Sequence, residues 1–516
     1  MNSDPSVSKR QAQSGFPVLL ATITGSAMSF IDYSALNVVL PLIKSDLKSG
    51  ISGAQWIATA YILTLSALIL IGGALGDSYG RRRMFAFGVL IFSLSSVACG
   101  LAPHTGALVA ARAFQGIGGA LLVPGSLSII NAFFPTERQP AAIGIWSASS
   151  ALMTAIGPVL GGYLGETFSW RYIFFLNVPL AVLVLVTLYS GVPESRDESR
   201  APGIDWWGAV LAAMGMGSLV YGLIELPGNS LREPRIAATL SAGILLLLLF
   251  LWHEKRTEQP MMPPGLFGNA AFAGANLLTL FLYMGLSGFL FFLPFELIGI
   301  LNYRPLLAGM ALLPFVALMV LLSLGSGILV RRFGRRKLLI AGPSIAGLGF
   351  FAFAFAVPHE NYVRDLLPAI LIMSAGMAIT VAPLTSTVMA AVGQNRSGIA
   401  SGVNNAVARA AGLFAIAVFG VVLISIFNAE LEQSLRHPRI PTELAQAMIN
   451  ERARLSELHA PEGTPAEETR LVRMAVVRAF EKGFRWIACL AGALAIAGGA
   501  TAALTIDRHH RTDPPL

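Results

Sequence analysis

Long apolar stretches, each interrupted after about 20 residues by a short polar break, run through the whole chain. A helix needs about 20 apolar residues to cross a bilayer. On that rule spans are expected near 16–42, 54–75, 84–103, 105–133, 139–165 and 170–191, then near 205–226 and 236–253. A second series is expected near 270–300, 305–330, 337–357, 365–392, 398–427 and 484–505, which makes about fourteen. The first run is too long for a signal-peptide core and has no small-residue cleavage site after it, so it is read as a retained span.

The break after the second run is Gly72-Gly73-Ala74-Leu75-Gly76-Asp77-Ser78-Tyr79-Gly80-Arg81-Arg82-Arg83. Glycines at 73, 76 and 80 suit close helix ends and a reversing backbone, and three arginines fix the side of the membrane on which the turn lies. Asp77 is expected to pair with an arginine or to sit at a helix N-terminus. The spacing returns at Gly325-Ser326-Gly327-Ile328-Leu329-Val330-Arg331-Arg332-Phe333-Gly334-Arg335-Arg336-Lys337, with Arg331 at the place of Asp77. Two related halves follow, as in transporters built from parallel repeats.

Composition agrees with this picture and removes others. The 516 residues are 55% hydrophobic and 12% charged, against about a quarter charged in soluble domains. The net charge of +8 resides in short loops, so it reports membrane orientation and not nucleic-acid binding. With both termini inside, most arginines and lysines fall on the cytoplasmic side, which favours an even number of spans. Segment 428–483, of mixed charge and with four prolines, is read as a part-helical excursion on the opposite side. Cys99 and Cys489 lie in apolar runs, and the seven histidines lie at loops, span edges or the tail. No metal site, disulfide framework, phosphate loop or catalytic cluster is expected, and neither an enzyme nor an ATP-driven pump has support.

Charges inside spans are costly and are functional candidates by default. Asp32 lies roughly 15 Å from the outer end of the first span and Arg112 roughly 10 Å from that of the fourth. Together they suit either proton coupling, through a carboxylate whose surroundings change, or a static buried pair. Glu296 and Glu225 are near outer span ends, where solvation competes with a cavity role. Arg409, in Asn404-Asn405-Ala406-Val407-Ala408-Arg409, suits an anionic or polar substrate or a helix-to-helix hydrogen bond. Gly157-Pro158-Val159-Leu160-Gly161-Gly162 is a close-packing and bending signal in the fifth span.

These motifs, in this order, resemble the major facilitator superfamily, and within it the fourteen-span drug:proton antiporter branch. Gly73 to Arg83 resembles the loop between spans two and three, and Arg112 to Ala120 the fourth-span R-x-x-Q-G-x-G-x-A motif. Gly157 to Gly162 resembles the G-P-x-x-G-G antiporter motif, with Met153 where an upstream glycine is usual. Asp32 to Pro41 resembles the first-span D-x-x-x-x-N-V-x-L-P pattern; Gln55 to Tyr61 and Trp170 to Pro179 complete the set. The resemblance implies an all-α membrane protein with two six-helix bundles, 16–200 and 261–506, two inserted helices within 201–260, and cytoplasmic tails 1–15 and 507–516. It implies a bacterial inner-membrane exporter of amphipathic, lipophilic and in part cationic drugs in exchange for protons, needing no cofactor. Asp32 and Arg112 would serve proton coupling; Asp32, Asn37, Tyr61, Gln115, Glu296 and Arg409 would face the substrate. Gly73, Asp77, Gly80 and Arg81 would form the cytoplasmic gate, and Gly157, Pro158, Gly161 and Gly162 the antiporter motif. In a two-membrane bacterium a periplasmic adaptor and an outer-membrane channel would be available as partners. The same machine carrying one solute, such as a siderophore, lipid or secondary metabolite, and a non-transporting sensor are the competing readings.

Overall fold

The computed structural model describes residues 5–135, 138–196, 205–228, 232–258, 260–356, 361–392, 397–461 and 463–506. The expected tail 507–516 and the boundary near 200 lie outside them, as do the side chains of Lys9, Arg10, Gly327 and Arg331. The described residues form helices and turns, without a strand.

Seven helices come first: α1 (Pro5–Asp46), α2 (Ile51–Tyr79), α3 (Arg81–Gly100), α4 (Thr105–Phe133), α5 (Gln139–Thr167), α6 (Tyr172–Phe175) and α7 (Asn177–Gly191). Then come α8 (Trp206–Glu225) and α9 (Pro234–Arg256). The last group is α10 (Ala270–Pro294), α11 (Pro305–Met310), α12 (Leu313–Phe333), α13 (Arg335–Phe355), α14 (Leu367–Ala390), α15 (Ser397–Leu435), α16 (Thr442–Asn450) and α17 (Ala466–Thr505). Among the described residues thirteen helices are long and apolar enough to cross a bilayer, and the 29-residue α5 stands in addition to them. Helix starts carry side-chain caps where the sequence supplies them. Asp205 accepts from the Gly208 amide at 2.8 Å, and Asn269 from Ala271 and Phe272 at 2.9 and 3.1 Å.

Three expected spans are interrupted. The sixth is a single turn, α6, followed by α7. The tenth breaks between α11 and α12, where Pro314 cannot donate and its ring opposes the carbonyl one turn back; Tyr362 Oη donates to the Ala311 carbonyl at this break, at 2.8 Å. The ninth ends in a π-turn, Phe295–Ile300. Arg473 Nη2 donates to the Gly299 carbonyl there at 3.0 Å, which holds a backbone that an α-helix would not adopt.

The excursion at 428–483 is less a loop than two helix extensions. α15 and α17 have 39 and 40 residues, or roughly 60 Å each, about twice a bilayer core. Glu430 joins them, with Arg478 Nε at 2.9 Å and Lys482 Nζ at 2.5 Å. Between the extensions α16 and a 3-10 turn, Arg452–Glu457, close a cap. This end of the molecule is the cap end; the α2–α3 and α12–α13 turns mark the arginine end.

Those two turns are built alike. Gly80 has φ +109° and Gly334 φ +79°, values that side chains resist. The repeat visible in the sequence is thus a repeat of backbone conformation. Close packing, however, falls one residue from where the glycine pattern places it. A Cβ on Gly72 would collide with the Ala120 carbonyl of α4, whereas one on Gly73 would meet only Pro124 Cβ at 3.7 Å and one on Gly76 nothing. The crossing point with α4 decides this, since it faces Gly72. Gly72→Ala is accordingly expected to lower the thermal midpoint in detergent, while Gly73→Ala leaves it unchanged; equal effects would refute this placement.

α1 packs on α5 and α7, and α2 and α3 on α4. In the second group α13 packs on α14 and α17, and α10 on α15 and α17. α8 and α9 pair with each other, and α8 also lies against α2 and α15. α9 exposes Leu245, Leu248, Leu249, Leu251 and Trp252, an apolar face suited to lipid.

Candidate functional site

The glycines of α4 set the site. A Cβ on Gly116 would strike Thr64 Oγ1 and the Tyr61 carbonyl of α2, and one on Gly118 would lie 2.6 Å from the Phe92 nitrogen of α3. Without side chains there, α4 comes close to both helices and carries Arg112 and Gln115 into the middle of the first group.

Arg112 meets Asp32 of α1 in a fully buried pair, Nη1 to Oδ2 at 2.5 Å. Gln115 completes a ring: its Oε1 accepts from Arg112 Nη1 at 2.6 Å, and its Nε2 donates to Asp32 Oδ1 at 2.9 Å. Asn177 of α7 donates to Asp32 Oδ1 at 3.3 Å and to Ser96 Oγ at 2.9 Å, and Ser96 donates on to the Phe174 carbonyl at 2.8 Å. Arg112 Nε donates to the Ile57 carbonyl at 3.3 Å, and the guanidinium lies 4.4 Å from the centre of the Tyr61 ring. The Tyr61 hydroxyl shares a 2.5 Å hydrogen bond with Ser29. One carboxylate therefore ties α1 to α4 and α7, and its charge is met by a guanidinium and two amides away from water.

The two groups of helices meet along a seam whose polar ties, among the described residues, lie toward the cap end. Lys44 Nζ donates to the Arg454 carbonyl at 2.5 Å and Gln55 Nε2 to the Ile416 carbonyl at 2.7 Å. Glu166 pairs with Arg304 and accepts from the Leu306 amide at 3.2 Å. The Gly-Pro motif of α5 lies in this seam. A Cβ on Gly157 would strike Ser34 Oγ, and one on Gly161 would lie 2.5 Å from the Ala35 carbonyl, both on α1. On the other side, Gly162 meets the Pro305 carbonyl and Gly309 meets the carbonyl of Pro158, with no room for a side chain at either. Four motif residues thus press α5 between α1 and α11.

At the arginine end Asp77 accepts from Arg81, Nε at 3.0 Å and Nη2 at 2.9 Å. The seat at the N-terminus of α3 is taken by Glu194, which accepts from the amides of Arg82 at 2.9 Å and Arg83 at 3.2 Å.

A helical chain of repeated spans whose motifs meet in this way can be compared with known proteins. The Major Facilitator Superfamily profile matches residues 22–416. The chain belongs to this superfamily. It is similar to the multidrug resistance protein Stp of Mycobacterium tuberculosis, with 35% identity over 418 residues that span 81% of this chain and 77% of Stp. It is also similar to the puromycin resistance protein pur8 of Streptomyces alboniger, 32% identical over 78% of this chain and 81% of that one. The tetracenomycin C resistance and export protein of Streptomyces glaucescens is 29% identical over 95% of this chain and 91% of its own. Among solved structures, a bacterial homologue of the human lysosomal transporter Spinster gives a TM-score of 0.65 at 16% identity, over 95% of this chain and 97% of that one. A D-xylose–proton symporter gives 0.61 at 16% identity, over 95% and 98%. The major facilitator fold is the result, in a non-enzymatic integral membrane transporter.

Of the residues singled out in the sequence, this superfamily member brings Asp32, Arg112, Gln115 and Tyr61 into one cluster. Asn37 and Arg409 are not in it; they lie part-exposed at the seam. Glu296 sits in the π-turn, 1% exposed. Solvation at a span edge does not describe it, because the cap covers that end: its turn packs on α17 and on the Arg452–Glu457 turn. Ser96, Asn177 and Glu194 were missed. Asn177 stood in a quoted motif, yet nothing in a one-dimensional pattern shows which face of a broken helix turns inward.

Proposed function

We propose that this protein exports drug-like amphipathic molecules by alternating-access antiport against protons, rocking residues 16–200 against 261–506 with the pair in 201–260 between them. The arginine end faces the cytoplasm, as the positive-inside rule requires, which places both termini inside and the cap outside. On this reading α5 is a span like the other thirteen, and the bilayer is the inner membrane of a bacterium.

The observation that carries the proposal is the sealed Asp32–Arg112–Gln115–Asn177 cluster, 0–1% exposed. In this state Asp32 accepts from Arg112, Gln115 and Asn177. A proton on Asp32 would cancel the charge that binds Arg112 and remove an acceptor from Gln115 and Asn177, so the ties of α1 to α4 and α7 would weaken together. Proton uptake and helix packing are then one event, which is what coupling needs. The relatives' names support drugs as the class of cargo. Seam ties toward the cap end suit a state open toward the arginine side.

The test uses proteoliposomes under an inward proton gradient, with puromycin or tetracenomycin C added and internal pH followed. Native protein is expected to give substrate-triggered proton movement, and Asp32→Asn to lose it at least tenfold while still binding substrate. Coupled flux that survives in the variant would refute the role of Asp32; native transport without proton movement would refute antiport.

A further inference from the structure

Away from span ends and the cap, the described residues of the two groups of helices hold one acid and two bases, Asp32, Arg112 and Arg409, with a further acid, Glu296, at the end of the ninth span. Asp32 and Arg112 neutralise each other. Glu296 is enclosed by the π-turn, α17 and the cap. Arg409 is left, with neither an ion pair nor a hydrogen bond among the described residues.

Its position is unusual for such a charge. Arg409 is twelve residues into α15 from Ser397, roughly 18 Å along the helix and so at the depth of the bilayer interior, yet it is part-exposed. Asn405, one turn nearer the arginine end on the same face, is exposed as well. This face is not turned to lipid: Gly402 and Ile416, seven residues to either side of Arg409, meet Leu70 and Gln55 of α2 in the opposite group, and Gly412, three residues on, meets Ser287 of α10. Tyr33 of α1 lies beside Ser287 and Asn37. A guanidinium at this depth needs water or an anion, and here the neighbours offer hydroxyls and an amide but no carboxylate.

We infer that the transported molecules include amphiphiles carrying an acidic group, which Arg409 receives as a fork while Tyr33, Asn37 and Ser287 bond its polar neighbours. This deepens the export reading and rests on it. A cation would meet a positive field at this point, since the acid that would attract it is already paired with Arg112.

Binding and transport are measured separately, with 1-anilinonaphthalene-8-sulfonate as the acidic probe and rhodamine 6G as a cationic one. For purified protein, Arg409→Gln is expected to weaken binding of the sulfonate tenfold or more and to strengthen binding of the cation, which no longer meets a like charge. Arg409→Lys keeps the charge without the fork and falls between. In proteoliposomes native protein is expected to move the sulfonate, and Arg409→Gln to lose that movement. Equal binding of the sulfonate by native protein and Arg409→Gln would overturn the inference and leave the export reading intact. Arginine-dependent binding without transport would instead sink the export reading, and with it the cargo role assigned to Arg409.

Discussion

Arg112→Leu is expected to cost about 3–5 kcal/mol of stability, the penalty for leaving one partner of a buried ion pair unmatched. Asp32 would keep only amide donors from Gln115 and Asn177, in a site with no water-exposed surface. The double variant Asp32→Asn/Arg112→Gln removes both charges and keeps hydrogen-bonding groups, so it should recover most of the loss while still failing to couple. Cys99 offers a local reporter, buried with its Sγ 3.7 Å from Gln115 Oε1. A thiol-reactive dye added during thermal unfolding in detergent should label Cys99 at a much lower temperature in Arg112→Leu than in the native chain. A single variant as stable as the native protein, or a double variant less stable than either single, would show that the cluster is not the tie between α1 and α4.

Gly162→Leu is expected to unbalance the two ends of the transporter without unfolding it. The added side chain would have to enter the space held by Pro305 and by Leu306, whose Cα lies 2.8 Å from the Cβ position. Overpacking of this kind costs about 1–3 kcal/mol, and it falls on the state in which α5 and α11 touch. That state should lose population by roughly 5- to 150-fold. Spin labels on cysteines replacing Glu166 and Arg304, which form an ion pair in this state, should report a longer cap-end distance in the variant, and export should fall in proportion. An unchanged distance distribution would mean that the seam is not closed by this contact. Gly144→Leu is a control, since a Cβ there meets nothing within 4 Å.

The chain by itself determined that it lies in a membrane, roughly where its helices run, and that it is built from related halves. Hydrocarbon accepts little but apolar helix, so periodic polar breaks mark spans without any tertiary information. It also marked Asp32, Arg112 and Gln115, because a charge in an apolar run is conspicuous whatever its partner. Only the folded structure decided what each charge touches. Asp32 and Arg112 are eighty residues apart and meet because Gly116 and Gly118 admit α2 and α3, a consequence of helix crossing that spacing does not encode. The same holds for Glu194, which occupies the helix terminus that could have received Asp77, and for Gly72, which takes the close contact suggested at Gly73. The cap followed a different rule: α15 and α17 continue beyond the apolar runs because salt bridges and packing between them replace the bilayer, and hydropathy is blind to that. Arg409 was visible as an intramembrane charge, but its isolation appeared only when every acid near it had been assigned a place.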